Sequence, residues 1–350
     1  MTTGVPSHCP YVTRMVTSLF AEGALTNVVA LEIEPEYGYV TRMRYTNGAY
    51  RMTYGNDVGL NSAAANEVVK DKAYTKFFLR GSGIDCPRGK SFLLKWWADH
   101  LSPRMVSYGV KSLRTVDRAA EYIRDELGLP VYVKPVDGSK GRNIWRVADG
   151  SDLARVLTAF ERERVKVALV EEAIAMPDYR VVVLDGALIS AYRRNPLTVT
   201  GDGMSTLAGL LAHQQESYRE SGRDTVLRTD DPHIAARLHR DGHTWATVPG
   251  DGERVPLLDI SNLSAGGTAD DVTDIVADRW VRFAIAAADL FNLRFCGVDL
   301  MCADIESGYG PYAVIEINGT PGLDHYISAG ARQVSIIREL YRKVLNVPPQ

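Results

Sequence analysis

The chain has 350 residues, 45% hydrophobic and 24% charged, enough to bury a large core and divide into two or three subdomains. Lys plus Arg total 40 against 43 Asp plus Glu, a net charge of −3, so there is no broad basic field for nucleic acid and only a local positive cleft stays open. No apolar run reaches the roughly 20 residues that span a bilayer, and no basic-then-apolar leader opens the chain, so a cytoplasmic protein without membrane contact is expected.

Residues 1 to about 60 carry short β-rich stretches, NVVALEI and YVTRMRY, separated by Gly, Asn and Pro, which suits a small α/β entry domain. Residues 61–79 read as one helix with Ala-rich spacing and a polar start, followed by a turn at GSGIDCPRG. The pair Trp96 and Trp97 lies in an insertion-like segment and suits packing better than a cofactor role. Val116, Ala120, Ile123 and Leu127 recur at helical spacing, and Gly128 ends that helix. VYVKP (131–135) is a strand, VDGSKGRN (136–143) a glycine-containing turn, IWRV a second strand, 151–164 a helix and VALVEE a third strand. Next come strands YRVVVLDG and ALISAYRRN, then GDGMST feeding a helix, and a polar stretch over 217–258. A helix is expected over about 269–290, before the last two strands. Cys9, Cys86, Cys296 and Cys302 form no CxxC pair and read as buried thiols rather than zinc ligands or disulfides.

Those last strands hold the strongest chemical signal. GVDLM (297–301) and VIEINGTPGL (314–323) place Asp299 on one strand and Glu316 and Asn318 two apart on its neighbour, so alternation puts three oxygen side chains on one face. Hard Mg²⁺ takes such oxygens and fills its other positions with water and phosphate. A solvated sheet face is the plainer alternative, but each residue interrupts an otherwise apolar strand.

Lys134 ends a hydrophobic strand ahead of DGSKG, where an ammonium and turn N–H groups can approach one phosphate; a surface strand ending in Lys is the alternative. Lys140 adds a second charge to that turn, which is not a GxxxxGK[ST] loop. Glu171 and Asp178 flank a short turn and can accept from an adenine amino group and ribose hydroxyls, or are simply two surface acids. Arg180, Arg193 and Arg194 supply guanidinium forks for phosphate or carboxylate, or for surface salt bridges. His233, His239 and His243 are discounted as a zinc site, because Gly242 breaks the helix and no acidic third ligand stands nearby.

Several of these motifs together resemble the ATP-grasp superfamily, and within it the ATP-grasp half of cyanophycin synthetase, over roughly Leu60 to Leu323. DKAYTKFFLRGSGIDCPRG, VKPVDGSKGRNI, VEEAIAMPDYRVVVLDG, GDGMST and NLSAGGTADDVTD carry the likeness. Asn143, Pro177 and Lys140 depart from the family pattern, and none of these departures removes a metal ligand or phosphate lysine.

The resemblance implies a mixed α/β (α+β) ATP-grasp fold: an N-terminal α/β domain (1–90), a small lid (91–171) and a central C-terminal domain (172–350), with nucleotide between the last two. It implies ATP held by Lys72 and Lys134, by a phosphate lid including Ser139, Lys140 and Gly141, by Glu171 and Asp178, and by backbone groups of Glu172 and Ile174. Asp299, Glu316 and Asn318 would hold Mg²⁺, with Mn²⁺ also fitting. Arg180 and Arg194 are candidates for the transferring phosphoryl group, and Asn262, Gly266 and Gly267 for a substrate-side anion loop.

The expected activity is an ADP-forming carboxylate–amine ligase making a peptide or related amide through an acylphosphate, in specialised metabolite assembly. Its substrates would be an amino acid or peptide. Alternatives are an ATP-grasp modifier of a peptide or protein side chain, and a regulatory module that binds nucleotide without turnover. The sequence shows no Mur-ligase-like half, so one kind of bond is expected rather than a polymer. A homodimer is compatible with the fold but not legible.

Overall fold

The computed structural model describes residues 9–108, 113–138, 143–328 and 330–349. It begins with α1 (Tyr11–Ala21), followed by an antiparallel meander of β1 (Val28–Ile33), β2 (Val40–Tyr45) and β3 (Tyr50–Tyr54). The alternating burial of β2 and β3 follows their sequence: Met43, Tyr45 and Arg51 point inward and Arg42, Arg44 and Met52 outward.

The single helix expected over 61–79 is instead two, α2 (Ala63–Lys70) and α3 (Lys72–Gly81). Asp71 between them is extended, with ψ 108°, and its carboxylate accepts from the N–H groups of Ala73 and Tyr74. An Asp that caps a new helix competes with continuation of the old one.

The next segment folds as a four-stranded antiparallel sheet, ordered β4 (Gly89–Leu93), β7 (Val167–Glu172), β5 (Val131–Pro135) and β6 (Trp145–Val147). Helices α4 (Lys95–Ser107), α5 (Ala119–Tyr122) and α6 (Gly150–Arg162) accompany it. The expected helix ending at Gly128 is broken into a 3₁₀ turn, α5 and a π-helical turn at Ile123–Leu127 before Gly128, which has φ 76°. Phe92, Val131, Val133, Val156, Phe160 and Val170 form the core of this unit. Trp96 packs at its edge and donates Nε1–H to the Val165 carbonyl.

A five-stranded antiparallel sheet follows, ordered β12 (Thr268–Asp271), β9 (Ala187–Asn195), β8 (Asp178–Leu184), β13 (Phe295–Cys302) and β14 (Tyr312–Asn318). Between β9 and β12, the polar stretch forms a unit of β10 (Thr198–Thr200), α7 (Leu207–Glu220), α8 (Pro232–Arg240) and β11 (Arg254–Pro256), with a core that includes Leu207, Leu211, Ile234, Leu238 and Leu257. The helix expected from 269 starts later, as α9 (Asp278–Leu290), because Thr268–Asp271 pairs with β9 and Asp271 turns the chain by accepting from Thr273. α9 covers one face of the sheet, packing near Val181, Val183, Val298 and Ile317.

The chain ends in α10 (Asp324–Ile327) and α11 (Ala331–Asn346). α11 packs against α1 and the N-terminal meander, where Tyr45 donates to the Leu345 carbonyl at 2.8 Å. No helix among the described residues is long and apolar enough to cross a membrane.

Candidate functional site

The face of the five-stranded sheet opposite α9 is polar where it meets the four-stranded sheet, the unit expected as the lid. Register places Arg180 between Tyr192 and Asp299, Asp299 opposite Glu316, Gly297 opposite Asn318, and Asp178 opposite Arg194. Paired antiparallel residues hold their Cβ atoms about 5 Å apart, so the three expected metal ligands do share one face. Arg193, odd in the alternation, points away and is exposed.

The Asp299 carboxylate is buried and held by two guanidiniums, Arg180 through Nε and Nη2, and Arg194 through Nη2 at 2.9 Å. Burial works to raise its pKa, but the two arginines outweigh it and hold it below the usual carboxylate range. Arg194 also forks onto Asp178 at 2.7 and 3.2 Å. Burial pushes the Asp178 carboxyl up to about 6, opposed by Arg194 and assisted by the Asp299 charge. Gly297 makes room for this arrangement: a Cβ there would lie 2.7 Å from Arg180 Cδ.

Two carboxylates and a carboxamide on one face are the oxygen donors a hard divalent cation takes, and a cation held there would displace the guanidinium contacts that now engage both Asp299 oxygens and the approach of Lys72 to Glu316. The buried Asn318 Nδ2 has no hydrogen-bond partner among the described residues, so none of them fixes the amide on that side, and its oxygen can turn to the shared face. Among the described residues, no cluster of three or more His, Cys, Asp or Glu forms a further metal site. His233 instead packs on Trp145, ring centroids 3.9 Å apart, and burial lowers its pKa.

Lysines line the opposite side. Lys72, buried at the start of α3, donates Nζ–H to the Gly138 carbonyl at 2.6 Å and lies 3.3 Å from Glu316. Its backbone N–H bonds the Val136 carbonyl at 2.9 Å, joining α3 to the lid. Ser139, Lys140 and Gly141 lie outside the described residues.

Lys134 and Lys76 both pair with Glu171, all three side chains being buried. Burial would raise the Glu171 carboxyl, but Lys134 and Lys76 outweigh it and hold it at about 2. Burial, opposed by Glu171 and reinforced by Lys134, pulls the Lys76 ammonium down to about 8. Two cations on one anion leave a buried positive charge beside the cavity.

Two groups expected to meet the nucleotide have protein partners in this structure. Both Glu171 oxygens, expected to face an adenine amino group, pair with lysines here, so the side chain organises two cations. The Glu172 N–H donates to the Arg88 carbonyl at 2.9 Å, and the Glu172 carboxylate accepts from the Arg88 backbone N–H and Nε, so that N–H is committed within the protein. Ile174 and Asp178 do line the cavity.

The expected anion loop is also internally satisfied. The Asn262 side chain caps the Ser264 N–H at 2.8 Å, and the N–H groups of Ala265, Gly266 and Gly267 bond carbonyls within the loop. Gly266 has φ 101°, and the loop carbonyls are tied down by Tyr218 and Arg223. Gly266 and Gly267 are absent from the cavity lining, whereas Asn262 reaches it.

Sequence reasoning missed Lys76 and Tyr192. Lys76 stands four after Lys72 in DKAYTK, one helical turn on the same face, so its spacing was a usable signal. Tyr192 stands two before Arg194 and is buried beside the arginines.

Lysines, arginines and oxygen donors thus border one cavity of about 2200 Å³ between lid and sheet. The bifunctional glutathione synthetase from Pasteurella multocida superposes with a TM-score of 0.55 at 22% identity, over 94% of this chain and 43% of that one. The chain has an ATP-grasp fold.

This ATP-grasp chain is 30% identical over 267 residues to cyanophycin synthetase of Nostoc sp. (strain PCC 7120 / SAG 25.82 / UTEX 2576), covering 75% of the chain and 27% of the relative. It is 24% identical over 344 residues to the glutathione biosynthesis bifunctional protein GshAB of Enterococcus faecalis (strain ATCC 700802 / V583), covering 95% of the chain and 43% of the relative. The chain therefore spans less than half the length of these curated relatives. No protein-family profile matches it.

Proposed function

We propose that this chain is an ATP-dependent, ADP-forming ligase that joins a carboxylate to an amine as a peptide or related amide. The observation that carries this reading is the convergence of Lys72, Lys134, Arg180 and Arg194 with Asp299, Glu316 and Asn318 around one cavity. Its volume, about 2200 Å³, exceeds the ordinary small-molecule range of about 300–1,000 Å³ and leaves room for nucleotide and two further reactants. Relatives bearing the names cyanophycin synthetase and glutathione biosynthesis protein support the same chemistry.

Asp299, Glu316 and Asn318 would hold Mg²⁺ or Mn²⁺, which when bound neutralises and orients phosphate oxygens. Lys72, at the mouth of the lid turn, is placed to meet the phosphates. Arg180 and Arg194 can stabilise charge on the phosphoryl group as a substrate carboxylate attacks it and ADP leaves. Amine attack on the acyl carbon then expels phosphate and forms the amide. No protein nucleophile is required; the residues position reactants, balance charge and exclude water.

The test is an ADP-release screen of amino acids singly and in pairs, with products identified by mass spectrometry. Release that requires both an acid and an amine, with a condensation product, is expected. Release that depends on a folded polypeptide would replace this reading with the side-chain modifier. Tight ATP binding without turnover would replace it with the regulatory module.

A further inference from the structure

A second cavity opens between α3 and β4, the outer strand of the four-stranded sheet. It holds about 640 Å³, inside the range of about 300–1,000 Å³ for small-molecule sites, and shares no described lining residue with the first. Its apolar wall is Phe77, Phe78 and Leu169. Phe77 and Phe78 are 69% and 47% exposed, yet both are braced: their rings meet edge to face with centroids 5.3 Å apart, and Phe78 meets Phe291 in the same way at 6.0 Å. Exposed aromatic surface held in one arrangement is what a binding site presents.

The charge on this cavity is of one sign. Lys76, Arg80, Lys90 and Arg114 line it, and among the described residues no Asp or Glu does. Glu126 neutralises Lys90. Arg80 and Arg114 instead each give an N–H to a neutral acceptor, the carbonyls of Pro87 and Ser91, and so keep their charge and their remaining donors. Lys76 shares the one Glu171 carboxylate with Lys134 and adds to the same excess.

We propose that this cavity binds a small aromatic carboxylate, its ring on Phe77 and its anion toward Arg80 and Arg114, and that occupancy there opposes nucleotide binding. A bare anion would leave the aromatics uncovered, and a neutral aromatic would leave the guanidiniums unused, so the two walls together select an amphipathic anion. The link between the cavities is a shared wall. α3 carries Lys72 at the first and Lys76 at the second, and Gly89 of the second is paired opposite Glu171, which lines the first. An anion in each cavity draws on the one positive charge held by Lys76, Lys134 and Glu171, so each weakens the other by the same factor.

The test is calorimetric titration of the full chain with indoleacetate, with indoleacetamide as its neutral isostere and acetate as the bare anion. Indoleacetate is expected to bind, and both controls at least about tenfold more weakly. A carboxylate also suits the first cavity of a ligase, so the site is located with Arg80→Gln, Arg114→Gln and Phe77→Ser, none of which lines that cavity. All three side chains are exposed, and their replacement should leave thermal unfolding close to that of the unaltered chain. Each should weaken indoleacetate about tenfold or more. A non-hydrolysable ATP analogue with Mg²⁺ should lose affinity about fivefold or more when indoleacetate saturates the chain, and the analogue should weaken indoleacetate equally.

No turnover is measured, so failure of the ligase reading leaves this test intact. Absence of indoleacetate binding at millimolar concentration would overturn the site, and so would binding that survives all three substitutions. Analogue affinity indifferent to bound indoleacetate would overturn the coupling. Self-association of the unaltered chain in sedimentation velocity, lost in Phe77→Ser, would give the aromatic wall to a second copy of the chain and likewise overturn the site.

Discussion

At Glu171 one carboxylate meets two buried ammonium groups, Lys76 and Lys134, and this makes the site sensitive to acid. Its pKa falls from 4.5 to about 2 on folding, so the stability it contributes is present above the unfolded value and is lost as pH falls from 4.5 towards 2. Unfolding in urea as a function of pH should show a loss of order 3 kcal/mol across that window. Glu171→Gln should flatten this dependence and destabilise the protein at neutral pH, because both lysines lose their counter-charge. The metal trio separates stability from chemistry in a similar way. Asp299→Ala strands Arg180 and leaves Arg194 with Asp178 alone, and should cost about 3–5 kcal/mol in a urea titration. Glu316, partly exposed and 3.3 Å from Lys72, should cost about 1 kcal/mol or less when changed to Ala. ADP release by Glu316→Ala should nevertheless fall at least about a thousandfold, since a metal held by this trio would lose a carboxylate; retained activity would reject the site.

At the scale of elements, Asp71 decides where Lys72 stands. It ends α2, caps α3 and so starts the helix whose first residue reaches Gly138 and Glu316. Asp71→Ala should cost about 1 kcal/mol and raise KM for ATP through displaced Lys72, read by urea unfolding and ADP-release kinetics. The sequence displayed the helical composition of this segment but not its division, because local propensity favours continuing the helix and only the capping geometry favours the break. Thr268–Asp271 was illegible for a related reason: its pairing partner, β9, lies far back in the chain. VYVKP and VALVEE, by contrast, were legible to the residue, being short β-branched runs bounded by turns.

For the whole molecule, lid and central sheet meet around the cavity through Lys72, and nucleotide would bind both at once. Non-hydrolysable ATP analogue with Mg²⁺ at about 100 times Kd should stabilise the protein by about 2.7 kcal/mol. The gain should shrink when Mg²⁺ is chelated or when Glu316 is replaced by Ala, both read by thermal unfolding.

The sequence by itself determined the strands of the site and the face each side chain takes, because alternation is a local property of an extended backbone. It thereby put Asp299, Glu316 and Asn318 together before any fold was known. Only the tertiary structure decided which cation meets which carboxylate. Lys76 and Glu171 are 95 residues apart, and Arg180 and Asp299 are 119 apart. Such pairs form only when strand order and lid docking bring remote segments into contact, and desolvation then leaves each buried charge dependent on the partner it has met.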